Sequence, residues 1–475
     1  MLQVVISKWR YRQYFYCIAA LVSITASEIH GSWTSPFIPQ LESDDSPIGV
    51  KLTTIQASLV VSFYTFGFIL GSAFTVYGPD IFGRKISFIV GAVLNLISWI
   101  FILFASGPIT LYFGRIIAGT GAILCINISP MYIGEISDND NRGRLGYFNV
   151  LSSTCGSVIG LVIGPYVSYR TFAIMAICTV LIAIVCLLLI PESPYYLIKK
   201  HKHEHAEKVI WKLASNDSDK EFVKKRLEEI TESVQKDMLN TSSINELICN
   251  RKYIKCILLH VGLNFIFYMS GSPIIKSYLQ TILDASESTI SSDLSSLIFG
   301  IVNIVAVSLS GQMVDRLGRK PLLLISCIVS ATCMFIFGAY FYINETKSFN
   351  MKVVTWLPLT CLVVFEMSNS VGINPMSYVV VSELYPINIK GIAIGTIGTV
   401  LTPIAVLIQL FYEPLNEYWG LYVSFWIFSG CCVFGIFFAI FFLPETKGKS
   451  FQQIQMEINK NWVETAGGIE SISKL

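Results

Sequence analysis

Apolar residues in this chain gather into long runs separated by short polar stretches. A bilayer core of about 30 Å takes about 20 apolar residues as a helix, because in lipid each backbone amide must find its partner within its own segment. Runs of that length start near Tyr14, Thr54, Ile86, Ile109, Leu145, Phe172, Ile254, Asp293, Leu322, Val354, Ile392 and Gly420. The pattern predicts six spans, a polar gap and six more. The gap, Pro191 to Lys252, is charged and helix-forming, as in Glu221 to Lys236, and predicts short interfacial helices. The expected organisation is an N-terminal segment 1–13, a six-helix bundle 14–190, linker helices 191–253, a second six-helix bundle 254–443 and a tail 444–475.

Composition sharpens this into an all-α membrane protein. Hydrophobic residues make up 53% of the 475 and charged ones only 14%, against roughly a quarter charged in soluble domains. Lys8, Arg10 and Arg12 lead into a run of full spanning length, so the first span is expected to be retained, not cleaved. The net charge of +2 points to no nucleic acid or acidic partner. With the N-terminus inside, outer loops hold only Lys51, Arg170, Lys347 and Lys352 of the 34 basic residues. Both termini and the linker are then expected in the cytoplasm. Asn344-Glu345-Thr346 falls in a predicted outer loop and is a candidate glycan acceptor, while Asn216 and Asn240 match the same pattern on the wrong side. The cysteines, among them Cys17, Cys178, Cys186, Cys327, Cys333, Cys431 and Cys432, read as buried hydrophobes, not disulfides or metal ligands.

Three signatures occur once in each half. Gly78 to Lys85 follows the second span and Gly311 to Lys320 the eighth. Pro130 to Glu135 with Arg142-Gly143 closes the fourth, and Ser382 to Pro386 with Lys390-Gly391 the tenth. Pro191-Glu192-Ser193-Pro194 ends the sixth and Pro444-Glu445-Thr446-Lys447 the twelfth. The chain therefore reads as two copies of a six-helix unit. All the signatures fall on the predicted cytoplasmic face, where opposite charges from different helix ends can meet. Asp80, Arg84, Lys85, Glu135, Arg142 and Glu192 form one expected network, and Asp315, Arg319, Lys320, Glu383, Lys390 and Glu445 its counterpart. Such pairs suit a gate between two rocking halves, since at the membrane surface they break without a permanent desolvation cost. The plainer alternative is that these charges only anchor topology.

These motifs, together with Gly114-Arg115, Gly119 and Gly121, resemble the sugar porters of the major facilitator superfamily, which include glucose facilitators and insect trehalose facilitators. The likeness runs from about Gly31 to Ser450, and Gly31 to Pro36 with Pro191 to Leu197 look most like the trehalose branch. It implies the major facilitator fold, a central sugar site reached alternately from each face, no ATP, no cofactor, a monomer and a multi-pass place in the plasma membrane. It also adds Arg115 to the charged gating set and assigns substrate contacts to Asn303, Tyr378 and Tyr278. Several positions depart from the family pattern. Val150, Phe267, Tyr268, Pro273 and Leu401 stand where amides are usual, Ser277 replaces a tyrosine, and Val76 and Ile81 alter the first turn. A buried hydroxyl left without a partner costs about 1–3 kcal/mol, so the standard sugar clamp looks degraded.

Ionisable residues inside the spans are Glu28, His30, Lys276 and Glu366 besides Arg115. Counted along continuous helices, Glu28 lies roughly 21 Å into the first span and Lys276 roughly 30 Å into the seventh, so a direct pair between them is not expected. Proton-coupled members carry an Asp where this chain has Trp33, which leaves Glu28 as the candidate proton site, against the plainer reading of a buried neutral or hydrogen-bonded acid. The histidines of Lys199 to His205 are flanked by lysines and alternate at i and i+2, which suits a solvated linker and not a metal site. Sugar transport as a facilitative uniporter is the leading reading. A proton-coupled symporter and a non-transporting sugar sensor are the alternatives, and no nucleophile with its base, phosphate loop or metal-ligand set points to an enzyme.

Overall fold

The computed structural model describes residues 2–137, 139–213, 220–239, 247, 251–288, 290–346, 354–385, 387–449, 453, 454 and 456. Their regular structure is helical throughout. In chain order they form α1 (Leu2–Ser32), α2 (Thr34–Leu41), α3 (Thr54–Phe82), α4 (Arg84–Leu103), α5 (Pro108–Ile136), α6 (Asn139–Ile163), α7 (Tyr169–Leu189), α8 (Pro194–Lys199), α9 (His203–Leu213) and α10 (Lys220–Leu239). There follow α11 (Arg251–Met269), α12 (Ser272–Ala285), α13 (Ser292–Leu317), α14 (Arg319–Thr346), α15 (Leu357–Val371), α16 (Ile373–Leu384), α17 (Ile387–Trp419) and α18 (Leu421–Phe441). Ten stretches of the described residues are long and apolar enough to cross a membrane, the one from Tyr253 to Ala285 combining α11 and α12. The runs α1–α2 and α15–α16 supply the other two of the twelve spans read from the sequence.

One compact unit comprises residues 1–33, 47–50 and 63–241. Its helices approach closely at glycines, as apolar helices in lipid must when no water drives them together. A Cβ on Gly119 of α5 would lie 1.8 Å from the Tyr64 carbonyl oxygen of α3, and one on Gly156 of α6 would lie 2.3 Å from that of Thr25 of α1. The linker helices α8–α10 belong to this unit. Leu197, Ala206, Ile210 and Val223 join a buried cluster with Tyr132 and Leu187, so the polar gap buries its apolar stripe against the end of the bundle.

The other unit comprises residues 34–46, 51–62 and 242–475, taking α2 and the start of α3 together with the second half of the chain. Two of its spans are broken. Between α11 and α12 the chain turns at Gly271, whose φ is +90°, and α12 is kinked again at Tyr278. Between α15 and α16 it breaks at Gly372, where Ser326 of α14 satisfies the freed backbone: its hydroxyl donates to the Ser368 carbonyl at 2.6 Å and accepts the Ile373 N–H at 3.2 Å. Broken backbone at membrane depth is tolerated where neighbouring side chains supply the missing partners. Two local expectations change. Asn344 lies in the last turn of α14, half-buried, not in a loop, because the helix outlasts its apolar run. All described cysteines are free, but Cys178 is exposed on the outer surface of its bundle, where lipid suits it as well as a core would.

Candidate transport site and its charge clusters

The twofold repeat is visible atom by atom. In the first unit Gly83 has φ +100°, which starts α4 at Arg84 and brings the backbone against Glu192. The Glu192 carboxylate accepts the N–H groups of Arg84 at 2.9 Å, Lys85 at 3.2 Å and Ser193 at 2.9 Å. In the second unit Gly318, with φ +91°, starts α14 at Arg319, and Glu445 accepts the N–H groups of Arg319 at 3.0 Å, Lys320 at 3.1 Å and Lys447 at 2.9 Å. Each acid thus fills the anion site that a helix N-terminus offers. A Cβ would meet Glu192 Oε2 at 2.3 Å from Gly83 and Glu445 Oε2 at 2.8 Å from Gly318, so glycine is required twice over, by space and by φ.

The arginines complete the clusters. Arg84, 4% exposed, pairs through Nη2 with Glu135 at 2.8 Å and through Nη1 with Asp80 at 3.0 Å, and Lys199 reaches Asp80 at 2.7 Å. Arg319 pairs with Glu383 at 2.8 Å. Both guanidinium groups also donate to the carbonyl five residues back, Pro79 at 3.0 Å and Val314 at 3.3 Å. Lys85 and Lys320, expected as partners of acids, place their ammonium groups on the Leu188 and Ile440 carbonyls at 2.7 and 2.8 Å, where a helix C-terminus presents free oxygens. Glu192 and Glu445 act as helix caps where ion pairs were expected. Each of these pairs and caps joins residues within one unit. The side chains of Arg142, Asp315 and Lys390 lie outside the described residues.

Arg115 does not join the cluster at Glu135. Twenty residues of α5 separate the two, about 30 Å at 1.5 Å per residue. Its guanidinium, 1% exposed, donates to the His30 carbonyl at 2.8 Å and lies over the rings of Tyr64 at 4.5 Å and Trp33 at 5.4 Å. The His30 ring stacks on Trp99, with centroids 4.1 Å apart. Glu28 accepts a hydrogen bond from Ser153 of α6 at 3.0 Å.

In the second unit the sequence-predicted contacts separate. Tyr378 of α16 is 64% exposed, with Phe267 of α11 against its edge. Tyr278 is fully buried and packs on Tyr412 of α17 at 5.0 Å, so it serves the interior of this unit. Asn303 of α13 donates its amide to Glu366 of α15. The same carboxylate oxygen accepts Ser370 Oγ at 2.8 Å and the Lys276 ammonium of α12 at 3.0 Å. Sequence reading singled out Lys276 and Glu366 but tested Lys276 only against Glu28. One acid and one base in neighbouring spans was the available signal. A further polar set, which sequence reading missed, ties α2 and the start of α3 to the rest of this unit. Ser35 accepts the Gln280 N–H at 3.1 Å, and Ser58 donates to Glu413 at 3.1 Å.

The pattern defining the sugar (and other) transporter family matches residues 13–458. The chain is 28% identical over 448 residues to the facilitated trehalose transporter Tret1 of Apis mellifera ligustica, covering 92% of this chain and 87% of that one. It is 27% identical to Tret1 of Polypedilum vanderplanki, covering 94% and 88%. The inward-open structure of the xylose transporter XylE from E. coli superposes with a TM-score of 0.77 at 21% identity, covering 94% of this chain and 99% of that one. The twelve-helix major facilitator fold follows from that superposition.

Proposed function

Because the chain belongs to the sugar (and other) transporter family, we propose that it is a facilitative uniporter that moves trehalose or a hexose down its gradient by alternating access. The observation carrying this reading is the duplicated charge cluster: two bundles, each with its own glycine-arginine turn, capping glutamate and Arg–Glu pair at corresponding helix ends. Identical bracing suits two halves that move as rigid bodies around a central site. The reading places the protein as a monomer in the plasma membrane with both termini cytoplasmic and the clusters on the inner face, where they gate access. Tyr378, 64% exposed, lines its substrate path.

Radiolabelled trehalose and glucose uptake into proteoliposomes tests it. Uptake that saturates and stops at equal concentrations on both sides, without a proton gradient, is the expected result. Accumulation above the outside concentration under an inward proton gradient would replace uniport by symport. Glu28, held by Ser153 between α1 and α6, is then the residue to change, and Glu28→Gln should remove the gradient's effect. Binding of sugar without flux would replace transport by sensing.

A further inference from the structure

Glu366 is fully buried, and one of its oxygens takes three donors from three helices: Lys276 of α12, Asn303 of α13 and Ser370 of α15 itself. Its other oxygen is buried without a hydrogen-bond partner. The pair is therefore asymmetric, with the acid at the bottom and the base at the top, since the Lys276 side chain is 25% exposed against 0% for Glu366. Around Lys276 on α12, Ser272, Ile274, Ile275, Ser277 and Tyr278 are buried, and only Pro273 shares its partial exposure. Residues three apart lie on one helix face. Pro273 is the position where the family resemblance places an asparagine, so the ammonium projects from the face that has lost its amide.

Donor and acceptor roles are fixed by this arrangement. An ammonium has three N–H donors and Glu366 uses one, leaving two. The Asn303 amide must turn its NH2 to the carboxylate, which leaves its carbonyl oxygen as an acceptor. The partly exposed side of the cluster offers a cation with two further donors, while Asn303, 3% exposed, is spent on holding Glu366. A carboxylate fills that side. Hydrogen bonds between an ammonium and a carboxylate are about twice as strong as neutral ones, so the cation favours an acid group over a hydroxyl.

Building on the sugar-transport reading, we propose that Lys276 is the specificity-determining residue of this transporter and that it selects a sugar acid, whose carboxylate it holds. Glu366 and Asn303 are positioning residues: the amide holds the carboxylate, and the carboxylate orients the ammonium.

Uptake of radiolabelled D-glucuronate and D-glucose into proteoliposomes tests this, with wild type, Lys276→Met and the double variant Lys276→Met/Glu366→Gln. The double variant removes both charges and keeps the volume, which guards against misfolding caused by a lone buried carboxylate. Wild type should carry glucuronate with a KM about tenfold below that for glucose, and in the double variant the ratio of the two KM values should fall to about one. Wild type that carries glucose and handles glucuronate no better overturns the proposal and leaves sugar transport standing. An acid preference that survives in the folded double variant overturns the role of Lys276. Failure to carry any of glucuronate, glucose and trehalose overturns both readings.

Discussion

Glu445 receives the N–H of Arg319 at 3.0 Å, across 126 residues of chain. With Lys320 and Lys447 it collects three main-chain donors, and despite partial burial these donors, together with the Arg319 charge, hold its carboxyl below the ordinary carboxylate range. A depressed acid contributes stability above its unfolded pKa and loses it as pH falls through its folded pKa. Glu445→Ala should therefore lower thermal stability in detergent by about 1–2 kcal/mol at pH 7, the usual cost of a lost helix cap, with the difference from wild type shrinking below about pH 4. A pH-independent difference would point to packing instead.

Glu42 responds to pH in the opposite sense. Burial and the nearby Glu417 push its carboxyl up to about 7, against the opposing pull of Lys51. A raised acid contributes stability that is complete below the unfolded value and is lost as pH rises through about 7. The melting temperature should fall between pH 5 and pH 8, and Glu42→Gln should flatten that slope. An unchanged slope would assign the pH response to other groups.

The spans, the polar gap and the duplicated signatures were legible because each is a local pattern: run length, charge density or a glycine beside a basic residue. Glu192 and Glu445 were legible as repeated acids, but not as caps, since the helix-start N–H groups of Arg84, Lys85, Arg319 and Lys320 lie more than a hundred residues away. The Lys276–Glu366 pair was not legible, because the two residues lie ninety positions apart on different spans and no local pattern joins them. Arg115 was grouped with the gate because its family motif lies near gating motifs in sequence, although α5 carries it about 30 Å from Glu135.

The Arg319–Glu383 pair ties the start of α14 to the end of α16. If the clusters gate access, Glu383→Gln should change the balance of inward and outward conformers, read as altered labelling of cysteines introduced on either face. Removing one partner of a largely desolvated pair costs about 3–5 kcal/mol when burial is complete, and less in this pair because Glu383 is 26% exposed. A stability loss with unchanged labelling would leave the pair a brace and no gate.

Gly119 offers a test of the helix crossings. Alanine there would put a methyl 1.8 Å from the Tyr64 carbonyl, so α3 and α5 would have to separate, whereas Gly146 of α6 has nothing within 4 Å of its added Cβ. Gly119→Ala should cost about 2 kcal/mol or more in thermal unfolding and Gly146→Ala should be near neutral or slightly stabilising. Equal effects would show that close packing at Gly119 does not hold the bundle.

Arg115 is a buried charge in the first unit, and its surroundings make a specific demand. One Nη donates to the His30 carbonyl while the planar group lies over Tyr64 and Trp33. A lysine keeps the charge but not the plane, so it cannot stack on both rings and reach the carbonyl together. A desolvated cation–π contact is worth about 2 kcal/mol, and Arg115→Lys should lose about that much stability. Tyr64→Leu should lose a comparable amount in wild type and much less in the Arg115→Lys background, because the contact it removes is already gone. Full additivity of the two substitutions would mean that Arg115 and Tyr64 are not coupled.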